Sequence, residues 1–170
     1  MIRNHRQDAI YATMCSYLGL SAQDVAEIGG FSDRFARDIL AGRKSFPKDT
    51  KAALFKLQDD YHKIVEAMKT DVRHGERILY IFRTNKQLRS SAVGKIWPAI
   101  GKAKGGFVGP YRNAAFEVFR WSGDIDQGQG LPINLVFADT PESARASAGE
   151  LRDLPLNAQA SPQRPHHEPE

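Results

Sequence analysis

The chain has 170 residues, of which 41% are hydrophobic and 26% charged, and its 24 Lys and Arg against 20 Asp and Glu give a net charge of +4. These values are ordinary for a globular protein, and no apolar run approaches the roughly 18 residues of a membrane-spanning helix, so no membrane partner is expected. The single cysteine, Cys15, excludes an internal disulfide and a cysteine-rich zinc site.

Charge divides the chain into three segments. Residues 1–75 have a net charge of +2, residues 76–138 of +5 and residues 139–170 of −3. The last segment is rich in Pro, Ala, Ser and Glu and has no Phe, Trp or Tyr, which predicts a disordered acidic tail. The basic balance of the first two segments suits a polyanionic partner.

Residues 7–47 carry the pattern of three short helices. The first has apolar side chains at helical spacing. Ser21 and Ser32 are expected to be N-cap residues of the next two, and glycines that tolerate a left-handed backbone follow both helices. The predicted spans are residues 7–18, Ala22–Ile28 and, after Ser32, a third helix to Ala41.

A longer fourth helix is predicted between Pro47 and Gly75, with an apolar stripe close to a heptad. A small mixed module follows over 76–138. Its predicted parts are strands at Ile78–Phe82 and Ile133–Phe137, a short helix at 87–100 interrupted by Pro98, a glycine loop, and a helix at Tyr111–Trp121. The expected fold class is therefore mainly α, with an N-terminal helix-turn-helix bundle, a long connecting helix and a small α+β C-terminal dimerisation module.

Residues 20–47 have the spacing of a helix-turn-helix that reads DNA. Val25 and Ala26 are expected to face Ala36 and Ile39 across a turn at Gly30. The alternative interpretation is an ordinary helical hairpin within a bundle.

The outward face of the third helix carries the side chains that we expect to read bases. Its first turn would enter the major groove, where the guanidinium of Arg34 can donate to guanine O6 and N7 together. Arg37 can read a base or bind a phosphate. Asp33 and Asp38 complete the predicted set, and Asp33 can accept from cytosine N4 or orient Arg37.

A second set of side chains is expected to bind DNA phosphates. Hydroxyl groups at helix N-termini bind anions, and basic residues after a recognition helix suit contacts with the DNA backbone. The predicted set is Ser21, Gln23, Ser32, Arg43, Lys44 and Lys48. For each basic residue the alternative is a solvated surface charge.

Dimerisation is expected because one helix-turn-helix reads few base pairs, whereas two copies about 34 Å apart read a palindrome on one face of DNA. The predicted interface combines a strand that is apolar on both faces with the aromatic run of the last long helix. Its residues are Ile78, Tyr80, Phe82, Phe116, Phe119 and Trp121. An ordinary monomer core is the alternative.

Two families share these motifs. The helix-turn-helix segment resembles the phage-repressor-like helix-turn-helix family, although Ala22 stands where Gln is usual and the spacing before Pro47 is slightly longer. The matching positions are Leu20, Ser21, Ala26, Gly30, Ser32, Ile39, Gly42 and Pro47. Residues 15–124 resemble the anti-CRISPR-associated regulator family, in its larger type with a C-terminal dimerisation domain, through the segments FSDRFARDILAGRKSFP, HGER, RILYIF and VGPYRNAAFEVFRWSGD.

The second resemblance implies a homodimeric repressor that binds an inverted repeat in the promoter of its own operon, which in mobile elements often carries an anti-CRISPR gene. It implies that Arg34 matches an Arg of the family's recognition helix and that Arg37 occupies a polar reading position. Ala36 stands where the family has a bulky aromatic residue. We expect a cytoplasmic, nucleoid-associated protein encoded by a bacterium or a phage.

No catalytic constellation is found, so we predict neither an enzyme nor a cofactor. Gly101–Gly106 lacks the phosphate-loop pattern and is expected to be a flexible, solvated loop, with binding of a nucleic-acid backbone by its two lysines as the alternative. His166–Glu168 lies in the predicted tail and Asp59–Asp60 on a solvated helix face, so no metal site is predicted. Cys15 is expected to be a small buried filler.

The second class of function considered is an RNA-binding or protein-interaction adaptor. Basic and aromatic residues alternate through 76–138, and together they can hold single-stranded RNA by charge and stacking. The cations are Arg83, Lys86, Arg89, Lys95, Lys102, Lys104, Arg112 and Arg120, and the aromatic residues are Tyr80, Phe107, Tyr111, Phe116 and Trp121.

Overall fold

The computed structural model describes residues 8–124 and 133–156, and these are mainly helical with a small two-stranded sheet. The helices are α1 (Asp8–Tyr17), α2 (Ala22–Gly29), α3 (Asp33–Leu40), α4 (Lys48–Arg73), α5 (Asn85–Ser90), α6 (Ala92–Ile96), α7 (Val108–Asp124) and α8 (Pro141–Ala146). The strands are β1 (Ile78–Ile81) and β2 (Asn134–Phe137), and a 3-10 helix spans Gly149–Asp153. In these residues, no helix combines the length and apolar character that crossing a bilayer requires.

The first four helices begin and end close to the predicted positions. Gly42 and Gly75 both have a positive φ, at 74° and 106°, after α3 and α4 respectively. The predicted apolar stripe of α4 is buried throughout, at Leu54, Leu57, Tyr61, Ile64, Val65 and Met68. This stripe makes α4 the central element, because α4 packs against α1, α2, α7 and the 3-10 helix.

The two strands form a parallel sheet, with Ile78 opposite Asn134 and Tyr80 opposite Val136. A parallel pair needs a crossover connection, and the segment from α5 to α7 provides it. One face of β1 is buried, but the other is open to solvent at Ile78 and half-buried at Tyr80. β1 therefore has apolar side chains on both faces, as predicted, but only one of these faces is buried.

Residues 85–107 differ from the predicted single helix. Two short helices, α5 and α6, meet at Ser91, whose extended backbone, with ψ at 178°, ends the first helix. The following Trp97 is fully buried, and its Nε1–H donates to Asp60 on α4 at 3.0 Å. Asp60 is thus a buried anchor for the module, which corrects the prediction of a solvated Asp59–Asp60 face.

The glycine loop is also packed, contrary to the prediction of a flexible, solvated segment. Gly105 and Gly106 are buried, and Gly106 lies so close to the ring of Trp97 that an added Cβ would come within 2.2 Å of it. Arg89 donates to the carbonyl oxygens of both glycines, at 3.2 and 2.9 Å. The glycines are needed here because the backbone approaches an aromatic ring, a contact that a sequence pattern does not reveal.

Residues 139–156 correct the prediction of a disordered tail. Thr140 caps α8, and the 3-10 helix lays Leu151 against α4, where it is almost fully buried. Asp71 of α4 accepts a hydrogen bond from the Glu150 N–H at 3.2 Å, and Lys63 donates to the Pro155 carbonyl at 3.2 Å. The rest of the predicted tail, residues 157–170, lies outside the described residues.

The buried side chains form one continuous hydrophobic cluster, which runs through both predicted domains. Leu18, Val25 and Ile39 enter it from the first three helices, and Trp97 and Phe107 enter it from the C-terminal module. The helix-turn-helix is therefore packed directly on the rest of the chain.

Candidate nucleic-acid interface

Local capping chemistry builds the turn between α2 and α3. Ser21 and Asp24 form a capping box, in which the Asp24 N–H donates to Ser21 Oγ at 3.1 Å and the Ser21 N–H donates to Asp24 Oδ2 at 2.9 Å. Gly30 follows α2 with a φ of 68°, in the left-handed region that favours glycine. The Ser32 hydroxyl then accepts from the Phe35 N–H at 3.2 Å and begins α3. Both predicted N-caps are confirmed.

Packing fixes which side of α3 faces outward. Ala36 and Ile39 are fully buried, and they lie in one core cluster with Val25 and Ala26 of α2, as the spacing predicted. Ala36 has a small side chain, and α3 packs against α1 and α2. The opposite side of the helix is left to the charged residues.

The four predicted base-reading residues divide into two kinds. Arg34 and Arg37 are exposed, and neither makes a hydrogen bond or an ion pair with a described residue. Asp33 is half-buried beside them in the first turn. Asp38, in contrast, accepts a hydrogen bond from Arg43 Nε at 2.8 Å and pairs with Lys44 Nζ at 3.7 Å. The Asp38 carboxylate is therefore occupied within the chain.

Asp38 organises the cations that follow α3. The hydrogen bond from Arg43 and the nearby charges of Arg43, Lys44 and Arg34 hold the pKa of Asp38 below its usual value. The ammonium of Lys44 also lies 5.3 Å from the centre of the Phe35 ring. Both cations stay more than half exposed while they are held in this way, so they remain accessible to an anion.

The other predicted phosphate-binding residues are open to solvent. Ser21, Gln23, Ser32 and Lys48 are all exposed. The hydroxyl oxygens of Ser21 and Ser32 accept the capping bonds, which leaves each O–H group able to donate to a phosphate oxygen.

Polar contacts attach the C-terminal module to α2, and sequence reasoning missed them. Arg89 of α5 pairs with Glu27 at 2.7 Å, and the Asn85 amide donates to Asp24 Oδ1 at 2.9 Å. The same Asn85 accepts from the Val108 N–H, so one side chain joins α2, α5 and α7. No sequence signal identifies these pairs, because more than sixty positions separate their partners.

The predicted dimerisation residues are partly exposed and partly buried. Phe116 and Phe119 on α7 are 53% and 40% exposed, and their rings stack 6.0 Å apart. Ile78 is 40% exposed and Tyr80 half-buried on the open face of β1. Trp121 is half-buried beneath two α4 cations, with Lys69 Nζ 5.3 Å from its ring centre.

Phe82 corrects the predicted interface. Its side chain is fully buried, and its ring lies 5.4 Å from that of Tyr111 in the core. The residue lies just beyond the end of β1, where the alternation of the strand no longer determines which way its side chain points. It therefore stabilises the monomer and cannot contribute to a surface contact.

A groove of about 570 Å³ lies beside Phe116, between α1, α4 and α7. At its base Glu117 accepts hydrogen bonds from the hydroxyls of Tyr61 and Tyr17. Burial, and then the Glu117 carboxylate, raise the pKa of Tyr61 far above its usual value. Tyr61 therefore stays protonated and donates to Glu117 at any ordinary pH.

Within residues 8–124 and 133–156, no group of three or more His, Cys, Asp or Glu side chains could hold a metal ion. His166–Glu168 falls outside that part of the chain. Cys15 is buried, as predicted, and burial raises its thiol pKa to about 12. A thiol in that state is a poor nucleophile.

The chain was also compared with known proteins. Neither a scan against protein-family models nor a search of the curated proteins gives a match.

Proposed function

We propose that the protein is a sequence-specific DNA-binding transcriptional repressor, which binds an inverted-repeat operator as a homodimer and represses its own, anti-CRISPR-type operon. One observation carries this proposal. A capped and tightly packed helix, α3, presents two exposed arginines that form no hydrogen bond or ion pair with a described residue, next to cations that Asp38 holds in place. This combination suits contact with base edges and with the flanking phosphates.

The proposed mechanism is steric. The first turn of α3 enters the major groove, and the guanidinium of Arg34 donates to guanine O6 and N7. Arg37 lies one turn further along and contacts a second base or a phosphate. Arg43 and Lys44 neutralise backbone phosphates, and this contribution to affinity falls as salt rises. Two such helices in successive major grooves exclude RNA polymerase, and no catalysis or cofactor is needed.

The exposed α7 face supports the dimeric form of the proposal. Phe116 and Phe119 are large aromatic side chains that the described part of the monomer leaves open to solvent. A second copy can cover them through a two-fold contact of identical surfaces. A sedimentation measurement that gives the mass of one chain at micromolar concentration would contradict this part.

The adaptor alternative is weaker because two of its five stacking residues are buried and two are half-buried. Phe107 and Tyr111 are buried, so their rings cannot stack on bases. Arg83 is engaged with Asp139 and Arg89 with Glu27. Among the aromatic residues of that module, Phe116 offers the most open ring.

A fluorescence-anisotropy titration tests the proposal. The full chain is titrated at about 150 mM salt with a duplex taken from immediately upstream of its coding sequence and with a scrambled duplex. We expect the upstream DNA to bind about a thousandfold more tightly. Equal, weak and salt-sensitive binding to both duplexes would contradict a sequence-specific repressor, and preference for an RNA stem-loop would favour the adaptor.

A further inference from the structure

The loop that follows α6 is fixed onto the C-terminal end of α2. The Lys102 N–H donates to the Ile28 carbonyl at 2.9 Å. Gly101 adopts a φ of 57° there, and a Cβ added to it would lie 2.6 Å from the same carbonyl oxygen. Ile100 and Ala103 close the loop through an antiparallel bridge. The loop position relative to the helix-turn-helix is therefore set by backbone contacts.

The Lys102 side chain lies across the turn of the helix-turn-helix. A methyl group built on Gly30 would come within 2.5 Å of Lys102 Cδ and 3.4 Å of its Nζ. Lys102 is nevertheless exposed, and its ammonium makes no ion pair with a described residue. A positive charge thus lies beside Gly30, two residues before Ser32, the N-cap of α3.

We infer that Lys102 is a DNA phosphate-binding residue, which the C-terminal module contributes to the helix-turn-helix surface. This inference rests on the proposed function. The first turn of a recognition helix enters the major groove, so groups that stand just before that turn face the phosphates along the groove edge. The ammonium of Lys102 adds one phosphate contact beside the exposed Ser32 hydroxyl.

The rigidity of the loop distinguishes Lys102 from an ordinary surface lysine. Arg89 holds the carbonyls of Gly105 and Gly106 and pairs with Glu27 of α2, so the loop is fixed beyond Lys102 as well as at its own N–H. The backbone of a lysine on a mobile loop must be immobilised when it binds, whereas the backbone of Lys102 is already fixed. The C-terminal module therefore contributes directly to DNA affinity.

The test uses Lys102→Met in the full chain, because methionine keeps the apolar stem over Gly30 and removes the charge. The probes are the upstream and scrambled duplexes, titrated at several salt concentrations. We expect affinity for both to fall by about fivefold at about 150 mM salt, and the slope of log K against log salt to shrink by about one. The ratio between the two duplexes should stay unchanged, and Lys102→Arg should restore binding.

The matched control is Arg152→Ala, which removes one exposed charge near Asp71. Gly101 lies against Ala53 of α4, and Asp71 is about 27 Å further along the same helix, so Arg152 is remote from the 101–106 loop. Equal losses in Lys102→Met and Arg152→Ala would overturn the inference, as would an unchanged affinity and salt slope in Lys102→Met. If wild type discriminates between the duplexes and Lys102→Met matches it, only this inference fails. If wild type binds neither duplex, the proposed function fails with it.

Discussion

The helix-turn-helix and the C-terminal module differ in the contacts that some of their arginines make. In the former, Arg34 and Arg37 are exposed and form no hydrogen bond or ion pair with a described residue. In the latter, which has the higher net charge in sequence, Arg89 bonds to Glu27 and two carbonyls, and Arg83 forms a double hydrogen bond with Asp139. Net charge therefore does not locate an interface, because it does not show which charges the fold has already paired.

The largest expected effect is the loss of a polar anchor of the C-terminal module. Asp60→Ala leaves the buried indole N–H of Trp97 without this acceptor, and we expect the free energy of unfolding to fall by about 3 kcal/mol. Urea denaturation measures this loss. The neighbouring Asp59 is exposed, so Asp59→Ala is the matched control and should unfold like wild type.

The next largest effect concerns the unpaired arginines. Arg34→Ala should lower affinity for the upstream duplex by about 2 kcal/mol, or about thirtyfold, because a bidentate contact with guanine is lost. Affinity for scrambled DNA should change much less, and the melting temperature should not change. Arg34→Lys keeps the charge but not the fork of donors, so it should lose discrimination as well. An equal loss on both duplexes would remove Arg34 from the base-reading set.

A smaller effect is expected at Arg89, the cation that joins the C-terminal module to α2. Arg89→Ala should lower the free energy of unfolding by about 1.5 kcal/mol, because Glu27 and the two glycine carbonyls lose a charged donor. The control is Arg83→Ala, whose pair with Asp139 is open to solvent and should contribute little. Chemical denaturation of both variants decides whether burial, rather than the number of bonds, sets the loss.

The smallest effects are pH-dependent and have opposite signs. Arg43 lowers the pKa of Asp38 below the ordinary aspartate value of 3.8. The stability that the Asp38 carboxylate contributes is therefore present above pH 3.8 and is lost as pH falls through the lowered pKa. Burial raises the pKa of Asp71 above the ordinary aspartate value of 3.8. The stability that the protonated Asp71 contributes is therefore present below pH 3.8 and is lost as pH rises through the raised pKa.

These signs predict how two variants differ from wild type. As pH rises from about 3 to about 7, Asp38→Asn should lose stability relative to wild type, and Asp71→Asn should gain it. Urea melts across this range measure both differences. If the stability of both variants relative to wild type changed in the same direction with pH, the opposite pKa shifts assigned to Asp38 and Asp71 would be wrong.

Much of the N-terminal region could be predicted from sequence, including the caps at Ser21 and Ser32 and the inward side chains of Ala36 and Ile39. The candidate interface was predicted less completely. Arg34 and Arg37 are exposed as expected, but the engagement of Asp38 with Arg43 could not be foreseen, because a carboxylate looks the same in sequence whether it is free or paired.

The sequence by itself determined where the first four helices begin and end, because a capping hydroxyl, a glycine with positive φ and an apolar stripe act over a few residues. Only the tertiary structure decided the burial of Phe82, the packing of the 101–106 loop and the order of residues 139–156. In each case the stabilising partner is remote in sequence: Tyr111 lies against Phe82, and α4 receives Leu151. Burial requires two complementary surfaces, and a local pattern describes only one of them.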